Sequence, residues 1–174
     1  MKKLITTILL SVLTLVSYSQ TKLDKEIFKV INEYRISNGL TPWEWDQKTF
    51  KVAEKHNYYQ TQISDIYHGE PKNIRNHEEI NSLGGRFDDG KITDWSKCGE
   101  NLAVVNSDNL TIVEIAEKTL SMWINSSTHN DLLLSANKKY TYGAISSKYS
   151  KEYVNATFCR NWTYVTLNVY QKEK

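Results

Sequence analysis

Partway along this chain the apolar residues change their spacing. Up to residue 134 they recur at helical intervals, and Ile27, Val30, Ile31 and Tyr34 form one face of a helix predicted over 24–37, with Gly39 as its αL stop. Leu40 to Trp45 contains Pro42 and two tryptophans and reads as an extended connection, and Asp46 caps a second helix whose stripe includes Phe50, Ala53, Asn57 and Gln60. Thr111-Ile-Val-Glu114 is a capping box, continued by Ile112, Ala116, Leu120 and Trp123 on a third helix. A further cap at Thr128-His-Asn-Asp131 leads into Leu132, Leu133 and Leu134. After residue 140 the pattern turns β-rich, and 140–149, 153–160 and 163–171 read as three antiparallel strands. Helices followed by a meander predict an α+β layered domain.

Between these regions, residues 65–108 are rich in Gly, Asn, Asp and His and poor in periodic apolar spacing. A short helix is expected over 78–83, ended by Gly84 and Gly85. Loops of this length in a compact domain tend to carry function.

The amino terminus has the layout of a secretory signal. Lys2 and Lys3 precede an apolar run over 4–16, and Ser17 and Ser19 provide small side chains before a cut, so cleavage is expected after Ser19 and a mature start at Gln20. The apolar run is shorter than the roughly 20 residues that a membrane span needs, so no span is expected after cleavage. The mature 20–174 then has the size of one domain. Two cysteines in an exported chain, Cys98 and Cys159, lie outside any C-x-x-C pair and favour a disulfide, which would tether the segment holding Glu100. Lys and Arg number 22 against 20 Asp and Glu and are scattered, so a basic nucleic-acid footprint is not indicated and no nucleic-acid partner is expected.

Five blocks in order then carry a resemblance: Asn32-Glu-Tyr-Arg35, Gly39-Leu-Thr-Pro-Trp-Glu-Trp-Asp46, Ala53-Glu-Lys-His56, Gly99-Glu-Asn-Leu-Ala103 and Trp123-Ile-Asn-Ser-Ser-Thr-His129, with Gly143 downstream. Together they resemble the bacterial branch of the CAP superfamily, the cysteine-rich secretory, antigen 5 and pathogenesis-related proteins, over about residues 25–170. The resemblance implies a three-layer α-β-α sandwich, a secreted or periplasmic location, and a cleft with two histidines and two acids. By position, His68 and His129 match the histidines and Glu100 one of the acids. The other acid is replaced by Ser126, and Asn130 stands where the bacterial pattern has arginine.

Two imidazoles and a carboxylate supply three protein ligands with a position open to water, the arrangement of a catalytic zinc. His68 and His129 are thus candidate metal ligands and Glu100 a candidate catalytic carboxylate, with Asn101 and Ser126 supporting the cleft. Each has a plainer reading: His129 packed in the cleft, His68 solvated in its loop, Glu100 or Asn101 pinning its own loop. His56 reads as a packing histidine, His77 as surface, Glu114 as a cap and Glu117 as an exposed helix face. The chain has no Gly-x-Ser-x-Gly elbow, His-Glu-x-x-His pair or glycine-rich phosphate cradle, which disfavours serine hydrolase, zincin and nucleotide-binding readings. Three functions follow in order of preference. The first is an extracellular module binding a metal ion, a lipid or another macromolecule through the cleft rim, where Trp95 offers an apolar contact; the second is a metal-assisted hydrolase of peptide or nuclease type; the third is an envelope-associated structural protein with an inactive cleft.

Overall fold

The structure is a computed structural model in which residues 20–70, 80–136, 139–155 and 159–173 are described. The signal segment, His77 and the first two residues of the helix expected over 78–83 lie outside the described residues; Ile80 instead bridges Glu70, Ser82 is an N-cap, and the helix begins only at Leu83. The elements run α1 (Lys22–Ser37), β1 (Glu44–Trp45), α2 (Gln47–Ile63), α3 (Leu83–Asp89), β2 (Trp95–Asn106), α4 (Ile112–Ile124), α5 (Ser127–Leu133), β3 (Tyr142–Tyr153) and β4 (Cys159–Lys172).

The helix starts are fixed by side-chain caps. Thr21 and Asp24 exchange bonds at the head of α1, Asp46 Oδ2 accepts from the Thr49 N–H at 2.7 Å at the head of α2, and Thr111 and Glu114 close the capping box of α4. Gly39, with φ of 74°, follows α1 in the left-handed region as expected.

One mixed sheet, ordered β1-β3-β4-β2, divides the molecule. Strand β4 pairs antiparallel with β3 on one side and β2 on the other, and its residues from Thr163 to Tyr170 are buried on both faces. Helices α1, α4 and α5 cover one face, where Val165, Leu167 and Val169 join Ile27, Ile31, Ala116 and Trp123 in the main core. Helix α2 covers the other, where Tyr170 packs with Val52, Phe87 and Ile92. The result is the expected α-β-α sandwich.

Three expectations are corrected. The stretch expected as an irregular loop contains β2, while the strand expected over 153–160 is the end of β3, the connection and the start of β4. Gly84 and Gly85 lie inside α3 rather than ending it; a Cβ on Gly84 would meet the Trp95 ring at 2.8 Å, so the glycine allows α3 to dock on β2, and Trp95 packs there against Phe87 instead of forming a rim contact. The Cys98–Cys159 disulfide does not form, and both thiols are free. Cys98 is opposite Tyr170 while Cys159 begins β4 opposite Tyr153. Those positions on β4 are roughly 35 Å apart at the usual strand rise, far beyond the roughly 7 Å between Cα atoms that a bridge tolerates.

Candidate functional site

Strand β2 is the sheet edge opposite β1, and a cleft of about 270 Å³ opens across it. His68, from the loop after α2, stands on the α2 side, His129 of α5 on the opposite side, and Gly99, Glu100 and Asn101 of β2 lie between them. The fold therefore brings all three candidate residues to one hollow.

Their environments differ sharply. The His68 side chain is 66% exposed, whereas that of Glu100 is only 3% exposed on the face toward α2. Glu100 Oε1 is 3.0 Å from His68 Nδ1, and since a carboxylate only accepts, the ring carries its proton there. Glu100 Oε2 accepts from Arg86 Nη2 at 2.5 Å. The Asn168 amide, turned so that its nitrogen meets acceptors, donates to the same oxygen at 2.9 Å from the neighbouring strand. Arg86, on α3, also donates through Nη1 to the His68 carbonyl at 2.6 Å, so one guanidinium fixes both the carboxylate and the histidine's backbone.

Behind this pair lies a second, fully buried one. His56 Nδ1 is 2.7 Å from Glu70 Oε1, and its Nε2 is 2.9 Å from the Tyr67 carbonyl, 2.8 Å from Gln60 Nε2 and 3.9 Å from Glu100 Oε2. His56 is thus a satisfied interior residue, as its position on α2 suggested. Its partner Glu70, together with Arg86, Gln60 and Asn168, went unrecognised in the sequence. Only Gln60, one helical turn after His56, carried a local signal.

The supporting residues divide. Asn101 is buried and donates through Nδ2 to the His129 carbonyl at 3.0 Å, holding α5 against β2. Ser126 occupies the N-cap position of α5 without a side-chain cap bond, so Thr128 belongs to the first turn rather than capping it. Ser126 does not line the cleft.

The two cleft imidazoles are pushed in opposite directions. The hydrogen bond to Glu100 raises His68 above the usual 6.5, outweighing its partial desolvation. Burial, and then the charge of nearby His68, lower His129. The His68–Glu100 pair therefore adds stability that is complete below pH 6.5 and fades as pH rises through the folded-state value of His68; His129 has the opposite sign, its contribution being lost as pH falls below 6.5. Ring resonances followed by NMR are expected to titrate with His68 above and His129 below 6.5, and Glu100→Gln to bring His68 down. Titration of His68 at or below His129 would contradict this placement.

Zinc would require three protein donors, but the Glu100 carboxylate is buried and its charge is balanced by Arg86, which leaves two imidazoles. The donor set does not fit the expected triad, and among the described residues no group of three His, Cys, Asp or Glu side chains stands in a metal-holding arrangement. Among those residues, no helix is long and apolar enough to cross a membrane.

The model of the family described as "CAP: Cysteine-rich secretory protein family" matches residues 28–168. An uncharacterized membrane protein of Bacillus subtilis is 29% identical over 143 residues, which cover 82% of this chain but 36% of that protein, so the chain spans about a third of its curated relative. An extracellular SCP-domain protein of Bacillus anthracis is similar in structure at a TM-score of 0.61 and 23% identity, over 86% of this chain and 40% of the other. An outer surface protein of Borrelia burgdorferi matches at a TM-score of 0.60 and 16% identity, over 89% and 96% of the two chains.

Proposed function

Because this chain belongs to the cysteine-rich secretory protein (CAP) family, we propose that it is an exported binding domain that engages an extracellular ligand through the His68–His129 cleft, and not a hydrolase. Export is supported by the basic and apolar layout of residues 1–19, and by structural likeness to proteins described as extracellular or outer surface. The observation that carries the binding reading is the state of Glu100. A general base must reach the proton it abstracts, but this carboxylate is buried and already accepts from Arg86, His68 and Asn168. Glu100 thus acts as a positioning residue that orients the His68 ring. What the cleft offers a ligand is a cation-leaning imidazole on one wall, a neutral-leaning one on the other, and the exposed side chains of Thr128, Asp131 and Lys139 at the rim.

The test has two arms. Wild type and His68→Ala/His129→Ala are assayed on peptide and nucleic-acid substrates with and without added zinc, and no turnover separating them is expected. A photo-crosslinking residue in place of Thr128 is expected to capture an extracellular component that the same residue at Lys25, on α1, does not. Histidine-dependent turnover, or identical capture at both positions, would overturn the proposal.

A further inference from the structure

The cleft has a floor as well as walls, and the floor is main chain. Just past the end of β2 the Ser107 N–H donates to the Asn161 carbonyl of β4 at 2.8 Å, continuing the register of the pair, so odd-numbered residues of β2 turn their backbone groups toward β4. Even-numbered residues turn theirs outward. Accordingly, the Leu102 carbonyl accepts from the Trp123 indole at 2.9 Å and the Cys98 carbonyl from the Tyr140 hydroxyl at 3.3 Å, both side chains lying outside the ladder. These two caps close the edge above and below Glu100. Glu100 itself is half-buried as a whole although its side chain is almost fully covered, so the surface it exposes is its backbone. Among the described residues nothing bonds to its N–H or its C=O.

An outward donor and acceptor on one edge residue, in a cleft, is the pairing station of a β-strand. We infer that the cleft recognises the main chain of an extended peptide, one residue of which pairs with Glu100: the ligand C=O accepts from the Glu100 N–H and the ligand N–H donates to the Glu100 C=O. This rests on the cleft being a binding site and names its ligand class. Side chains of an extended ligand alternate between faces, which sends the residue paired with Glu100 toward the His68 wall and the residues on either side of it toward the His129 wall. A lipid chain has no such donor and acceptor pair. The Tyr140 and Trp123 caps limit the added bridge to one residue, so binding does not extend into open-ended strand pairing between copies.

The experiment screens a randomised acetyl-pentapeptide amide library against the full protein and against Thr128→Trp, which places a bulky ring at the exposed rim. Peptides enriched by the wild type alone are resynthesised with a single ester replacing each amide in turn. One ester position is expected to weaken binding about fivefold, the worth of one hydrogen bond, while the peptide shifts the Glu100 amide resonance and slows its exchange. A flat ester scan accompanied by a shifted His129 ring would overturn peptide pairing and leave the cleft as a binding site. No enrichment over Thr128→Trp, with neither the Glu100 amide nor the His129 ring shifted by the library, would overturn both.

Discussion

Glu100→Gln is expected to lower stability by about 3–5 kcal/mol, the usual cost of breaking a buried ion pair by removing one partner. The Arg86 and Glu100 side chains are each only 3% exposed, so water cannot take over the lost interaction. The substitution keeps the shape but puts an NH₂ where one carboxylate oxygen stood. With the NH₂ toward Arg86 and Asn168 a donor faces two donors, and with it toward His68 the ring must be the neutral tautomer whose Nδ1 accepts, so in neither orientation is the negative charge opposite Arg86 restored. The guanidinium is left charged in the interior, with its Nε already lacking a partner among the described residues. Urea denaturation at pH 7 should show the midpoint falling by roughly 2 M, taking an ordinary slope for a domain of this size. The double variant Arg86→Met/Glu100→Leu should recover a large part of the loss, since replacing both charges removes the unpaired ion. A single-variant loss under about 1 kcal/mol would mean that the pair is solvated, and Glu100 would return as a candidate base or ligand.

The contrast between what the sequence disclosed and what it concealed runs along the line between local and tertiary causes. Caps at Asp46, Thr111 and Thr21 act over three residues, and the first two were legible because the bonding partners are in the same short string. The apolar faces of α1 and α4 were legible for the same reason. Strand β2 was not. Its first half, Ser96, Lys97, Gly99, Glu100 and Asn101, has the composition of a loop, and it is extended because β4 pairs with it. The convergence of His68, Glu100 and His129 was reached through resemblance, and spacing alone would not have given it. Resemblance also hid the decisive feature, that the carboxylate is engaged from α3 and β4. Arg86 gave no local hint of this, being a single arginine after two glycines whose role depends on where α3 docks. The cysteines mislead in the same way: their suitability for pairing is a property of the compartment, but their distance is a property of the β2–β4 register.

Arg35 tests the link between the core and the cleft. It is fully buried, stacks over Trp43 at 4.2 Å, and donates to the carbonyls of Thr41 at 3.0 Å, Leu133 at 2.6 Å and Ser135 at 3.2 Å. Two of those carbonyls close the end of α5, the helix that carries His129. Burial brings the guanidinium down to about 10, so it remains charged throughout the neutral range. Arg35→Met fills the volume but strands the carbonyls at roughly 1–3 kcal/mol each. Relief from burying a cation offsets part of this, and a net loss of about 3 kcal/mol is expected. Because Arg35 keeps its charge well above neutrality, that loss should be flat from pH 5 to 8. Arg35→Lys retains the charge but replaces the fork with one ammonium group and should still lose more than half as much. In both variants the His129 ring resonance should move while that of His68 stays in place, since α5 is held by Arg35 and the His68 loop by Arg86. Equal movement of the two rings would show that the walls of the cleft are not positioned independently.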